Sequence, residues 1–197
     1  MTALPRRAQQ DAFLLGDPGP HLRQAVFQFC AGLGLEAAHV AVTRDTSEAD
    51  LKQRRELRAG SSVFADAPPV RAALKGRLLI LDGIEKAERN VLPTLNNLLE
   101  NRELTLDDGR LLVPEARLAL LRAAGVDVEL EAVSPDFRVV ALAAPRAPAS
   151  LASPRRALRF CLRCPPFQGR ALDPPLRSRL QSCLVPGFDV GELRTED

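Results

Sequence analysis

Leu78-Leu79-Ile80-Leu81-Asp82 is the stretch that decides the fold. Four large apolar residues in a row suit a strand covered on both faces, where alternation with polar residues is not needed. The run stops at Asp82-Gly83, a turn signal. Ala12-Phe13-Leu14-Leu15 repeats the pattern and ends at Gly16-Asp17-Pro18-Gly19-Pro20. Beyond that loop Leu22, Val26, Phe29 and Leu33 recur at helical spacing, with Phe27 and Cys30 beside them, up to Gly32 or Gly34. Val40-Ala41-Val42 reads as a further short strand, and Phe137 to Leu142 as another.

Between these runs the pattern is helical. Thr46 to Leu57 is charged and reads as a helix, with Thr46 as its N-cap before Glu48 and Asp50. Lys86 to Asn101 carries Val91, Leu95, Leu98 and Leu99 and reads as a helix that tolerates Pro93. Glu103 to Leu106 and Arg110 to Val113 flank Asp107-Asp108-Gly109, the signature of a β-hairpin. Pro114 to Ala124 is helical again. Alternating strands and helices predict an α/β fold: a parallel sheet sandwiched by helices, with a β-hairpin insertion. No internal repeat is visible.

A chain of 197 residues makes one ordinary domain. Its 27 basic and 25 acidic side chains nearly cancel, which excludes a general polyanion binder. Aromatics are 4%, without Trp or Tyr, so base-stacking surfaces for single strands are excluded too and no specific nucleic acid is expected. No apolar run is long enough to span a bilayer, and Met1 to Gln10 lacks a signal-like apolar region. The four Cys (30, 161, 164 and 183) read as free thiols of a reducing compartment.

A strand, a Gly/Pro loop and a helix form the frame of a phosphate loop, in which backbone amides and a helix N-terminus converge on an anion. The full signature is G-x-x-x-x-G-K-[ST]. From Gly16 it requires Gly at 21, Lys at 22 and a hydroxyl at 23. The sequence supplies His21, Leu22 and Arg23. Gly16, Pro18 and Gly19 fit the frame, while the local cation and a magnesium ligand are missing. A plain strand–turn–helix connection is the alternative at this point. Asp82, ending its apolar strand, has the layout of the acid that holds Mg²⁺ through water. Capping of the next helix is the simpler role for it. The Glu that activates water in such ATPases would stand next, at 83, where the sequence has Gly; Glu85 follows two residues later.

The order of these segments resembles the AAA+ ATPases. The residues that carry the resemblance are the loop, Asp45 to Leu51, Leu78 to Asp82, and Asn96-Asn97-Leu98-Leu99-Glu100-Asn101-Arg102-Glu103 with its Asp-Asp-Gly hairpin. More narrowly, the chain is similar to the dynein-related, midasin-type subgroup. Leu172-Asp173-Pro174-Pro175-Leu176-Arg177-Ser178-Arg179 resembles that group's arginine-finger segment. The resemblance implies a P-loop ATPase module with Mg-ATP as ligand and other AAA+ modules, in a ring or multi-module assembly, as partners. Gly16, Asp17, Pro18, Gly19, Pro20, His21, Leu22 and Arg23 would face the triphosphate, and Asp82 the magnesium through water. Arg177 or Arg179 would act in trans on a neighbour's ATP. The family's sensor Asn falls where Ala143 and Ala144 stand.

With no Lys at 22, no Glu at 83 and no Asn near 144, weak or no hydrolysis by the module alone is expected. The alternative is a non-catalytic interaction or scaffold domain that has lost nucleotide. The ATPase-like core is expected at 12–145 and 171–185. The expectations for the remainder are an Arg/Pro-rich, poorly ordered excursion at 146–170 and a tail at 186–197. From Phe137 to Leu172 the chain has seven Arg and no acid. The family's helical lid has no room before Asp197, as in a fragment, a splice product or a degenerate copy. The resemblance implies a mitochondrial location; without it the cytoplasm is expected. Cys161-Leu162-Arg163-Cys164 is a single C-x-x-C, half of what a structural zinc site requires, and reads as incidental thiols.

Overall fold

The computed structural model describes residues 11–16, 19–88, 91–125, 128–144 and 181–185. The expectations for Asp17, Pro18, the 146–170 excursion, Cys161, Cys164, Arg177, Arg179 and the 186–197 tail lie outside the described residues. Along the chain run β1 (Ala12–Leu15), α1 (Pro20–Leu33), β2 (Ala37–Ala41), α2 (Glu48–Leu51), β3 (Gln53–Arg58) and β4 (Ser61–Asp66). Then come α3 (Pro68–Lys75), β5 (Leu78–Asp82), a 3-10 turn at Ile84–Lys86 and α4 (Leu92–Glu100). The rest comprises β6 (Leu104–Thr105), β7 (Leu111–Pro114), α5 (Glu115–Ala123), β8 (Leu130–Val133), β9 (Arg138–Ala143) and β10 (Gln181–Leu184).

The main sheet has the order β10-β1-β9-β5-β2, and every pairing in it is parallel. Parallel neighbours need crossover connections, so the chain must pass over the sheet's faces between them. Both faces are buried, which is why its strands need no polar alternation. Leu79, Leu81, Val139 and Ala141 point into one core with Val70, Ala73, Leu98 and Leu99 of α3 and α4. Ile80 and Leu142 point to the other face, against Val26 and Cys30 of α1. Each fully covered Leu or Ile contributes roughly 1.5–3 kcal/mol.

Helix α1 begins with Pro20 at its first position and ends at Gly34, whose φ of 64° makes the left-handed cap. Val26 and Cys30, four apart, form its buried stripe. The hairpin expected around Asp107-Asp108-Gly109 is present as β6 and β7. It is joined in parallel by β8.

Three elements differ from the reading of the sequence. The helix expected over Thr46 to Leu57 is a single turn, α2, followed by the strand β3. Ser47, not Thr46, caps it, in a reciprocal capping box with Asp50. Its continuation pairs with β4 across Ala59-Gly60, both at positive φ (51° and 82°). Such a two-residue reversal matches strand twist and overrides the helical composition. The helix expected from Lys86 starts only at Leu92, because Pro93 fits a first turn and not an interior. The strand at Val40–Val42 lies earlier, at Ala37–Ala41.

Candidate functional site

All strands of the main sheet run the same way, so the C-terminal ends of β1, β9 and β5 stand side by side. Register aligns Leu15 with Ala143, and Asp82 with Leu142. Clefts beyond the carboxyl ends of parallel strands are where such sheets take ligands. Here a cleft of about 370 Å³ opens between Gly16, Gly19, Pro20, Leu22 and Arg23 on one side and Asp82, Gly83, Glu85 and Lys86 on the other, with Ala143 and Ala144 at its floor. The loop and the acid of β5, read separately in the sequence, thus face one space.

The cradle is narrower than a full phosphate loop. The Gly16 amide donates to the Ala143 carbonyl at 3.2 Å and prolongs the sheet. What remains to meet an anion is the N-terminus of α1, whose N-cap is Gly19. Leu22 folds back over the loop: its Cδ1 lies 2.8 Å from where a Cβ on Gly16 would stand. An apolar group therefore packs where the signature would have its lysine. His21 is exposed on the first turn of α1 and does not line the cleft.

The basic side chains come from other positions. Arg23 Nη1 lies 3.2 Å from Asp82 Oδ2, with side chains 43% and 30% exposed. His39 Nε2 lies 3.5 Å from the same oxygen, reaching it from the neighbouring strand β2. Lys86 also lines the cleft.

Glu85 also enters the cleft, although it lies two residues beyond the place usual for a water-activating acid. Gly83 makes this possible. At φ 84° it turns the chain sharply, and a Cβ there would stand 3.1 Å from the Val42 carbonyl. A glutamate at 83 would thus be strained, and the turn after it carries Glu85 inward. Glu85 is 8% exposed, and its Oε2 has no hydrogen-bond partner. Burial pushes its carboxyl up from the usual range. Its own amide, the Lys86 charge and the Ala144 amide pull the other way, and the nearby Asp82 charge adds to the rise. The contact with Ala144 sets this carboxyl at the end of β9, where the sequence has no polar sensor side chain.

Gly16, Gly19, Pro20, Leu22, Arg23 and Asp82 are therefore brought together. Reading the sequence missed His39, Glu85 and Lys86. The Asp82-Gly83 pair was the available signal for the last two, since a glycine directly after a strand-end acid announces a reversal. Among the described residues no three His, Cys, Asp or Glu side chains converge as a metal-binding group. Nor is any helix among them long and apolar enough to cross a membrane.

Comparison with known proteins agrees with this geometry. The profile of the AAA domain, dynein-related subfamily, matches residues 11–160. Von Willebrand factor A domain-containing protein 8 of Mus musculus is 47% identical over 178 residues, 88% of this chain and 8% of that protein. Protein NorQ of Paracoccus denitrificans is 33% identical over 91 residues, 46% of this chain and 34% of its own length. The chain thus spans a small part of the curated relatives it matches. A solved structure from Cytophaga hutchinsonii, designated a candidate ATPase, superposes with a TM-score of 0.59 at 14% identity. The match covers 93% of this chain and 44% of the other.

Proposed function

Since the chain belongs to the dynein-related subfamily of AAA domains, we propose that it is an ATP-binding module that hydrolyses ATP weakly or not at all on its own. The observation that carries this reading is the shared cleft: the first turn of α1, Arg23, Asp82 and Lys86 face one space at the carboxyl ends of β1, β9 and β5. A helix N-terminus and two cations suit a triphosphate. The degenerate positions argue for slow chemistry. Leu22 offers no cation, Gly83 no acid, and Ala143 and Ala144 no polar sensor. Glu85 stands two residues beyond the place usual for the water-activating acid.

Magnesium fits this cleft poorly. Mg²⁺ seeks oxygen ligands, and position 23 offers a guanidinium instead of a hydroxyl while Asp82 already faces two basic groups. Related modules in a ring or a longer chain are the proposed partners, with Arg177 or Arg179 reaching a neighbour's nucleotide. The mitochondrion is the proposed compartment, which cell fractionation checks.

Thermal unfolding with ATP tests the reading. At a hundredfold excess over Kd, binding to the folded state adds about 2.7 kcal/mol, or about 5 °C for a chain of this size. Turnover is expected far below the ~1 s⁻¹ of a competent enzyme. One observation favours a scaffold without nucleotide: the Arg23–Asp82 pair and the inward Leu22 already occupy part of the cleft. Unchanged melting at millimolar ATP would select that second reading.

A further inference from the structure

We propose that the Arg23 guanidinium takes the place of the divalent cation in this cleft, so that the chain binds a nucleoside triphosphate as the free anion and not as its magnesium complex. This rests on the reading that the cleft takes ATP and concerns how the charge inside it is balanced.

Two positions bracket the metal in a complete phosphate-loop site: the hydroxyl at the loop's last position and the acid ending the neighbouring strand. Counted from Gly16, the loop's last position is 23. In this chain the residue there reaches across to the acid itself, Nη1 to Oδ2 at 3.2 Å. A monovalent side-chain cation thus joins the two places that would share a divalent one. His39 crowds the same carboxylate oxygen from β2 at 3.5 Å. A magnesium ion beside Asp82 would face a guanidinium a few ångströms away, and Arg has no lone pair to offer it.

Lys86 lines the same cleft, beside the acids Asp82 and Glu85. Cations carried by the protein itself do for the phosphates what a bound metal would otherwise do, and free ATP, more negative than its magnesium complex, gains most from them. Arg23 is also free to move. Its pair with Asp82 is half-exposed and therefore weak, so the planar fork can turn to phosphate oxygens, which it matches in geometry. The unpartnered Oε2 of buried Glu85 marks the same space as one in which polar partners are still to be met.

The test is calorimetric titration of the full 197-residue chain with ATP, once in excess EDTA and once in excess Mg²⁺. The expected result is a Kd in EDTA equal to or tighter than that in Mg²⁺. The Arg23→Ser variant returns a hydroxyl to position 23 and uncovers Asp82. It should bind about tenfold or more weakly in EDTA, and magnesium should then tighten it. Its melting temperature, within about 3 °C of the parent, confirms the fold. Wild-type binding that needs magnesium overturns the inference and leaves the ATP reading standing. A variant whose response to magnesium equals the parent's also overturns it. Absence of binding under both conditions removes the ATP reading, and this inference with it.

Discussion

Two Asp–Arg pairs stand at opposite ends of the same parallel sheet and are built differently. Asp11 precedes β1 and is 5% exposed. Both its oxygens accept from Arg102 Nη2 at 2.9 Å, and Oδ1 also accepts from the Val139 amide at the start of β9. Arg102 in turn lies over the Phe137 ring, 5.1 Å from its centre. Asp82, at the other end, has one contact with Arg23 at 3.2 Å and one with His39 at 3.5 Å, and its side chain stays 30% exposed. The first pair is saturated and ties α4 to two strands. The second is open on the cleft side. Fully satisfied charge clusters hold a fold in place, whereas half-satisfied ones at strand ends are available to a ligand.

The largest expected effect separates the two ends. Arg102→Ala strands the buried Asp11 charge and should cost about 3–5 kcal/mol in urea unfolding. Arg23→Ala should cost under about 1 kcal/mol, since its pair is half-exposed. It should nonetheless weaken ATP binding about tenfold or more in EDTA. Comparable stability losses for the two variants would erase the distinction drawn here.

Gly83→Glu sharpens the account of the reversal. It restores the acid at the place usual for the family, yet it forces a side chain into φ 84° and against the Val42 carbonyl. A loss of about 1–3 kcal/mol is expected. ATP turnover should stay at the parent's level, and a gain in turnover would contradict the argument that the strained turn does not suit an acid there. Lys86→Ala follows, with ATP affinity down several-fold, by about 1 kcal/mol, and little change in melting.

The smallest effect is a pH dependence. Glu85 has its folded-state pKa raised, chiefly by burial. Its contribution to stability is thus fully present below the carboxyl's unfolded value and is lost as pH rises through the folded value. Glu85→Gln should therefore stabilise the chain by about 0.5–1 kcal/mol at pH 8 and lose that advantage near pH 4. Asp108, lowered by its bonds with Gln53 and Arg110 despite its burial, works in the opposite sense. Its contribution is present above the unfolded value and fades as pH falls. Equal gains from Glu85→Gln at both pH values would contradict the burial account.

The sheet was legible because burial on both faces leaves a plain mark. Leu78 to Leu81 and Val139 to Leu142 carry no polar interruption, so the α/β class follows directly. Gly16 and Arg23 were legible because the phosphate-loop signature has fixed internal spacing, and Asp82 because it ends an apolar strand. The hairpin of β3 and β4 was not. Its outer residues, Arg54 to Arg58, are exposed and charged, so they lack alternation, and two positive-φ residues at the reversal decided the outcome. Gln53, buried at the start of β3, donates to Asp66 and Asp108 at 2.7 and 2.8 Å, a tie between two hairpins that sequence order hides. His39 belongs to no motif of the sequence. Its contact with Asp82 depends on β2 lying beside β5, which is a fact of sheet order. Glu85 and Lys86 depend in the same way on the turn at Gly83.

A crystal structure of the chain grown with ATP in the presence of EDTA tests the central claim most directly. The account predicts phosphates against the first-turn amides of α1, between Arg23 and Lys86, with the Arg23 fork turned from Asp82 toward them. A cleft still closed by the Arg23–Asp82 pair, with nucleotide bound elsewhere or absent at saturating concentration, would contradict it.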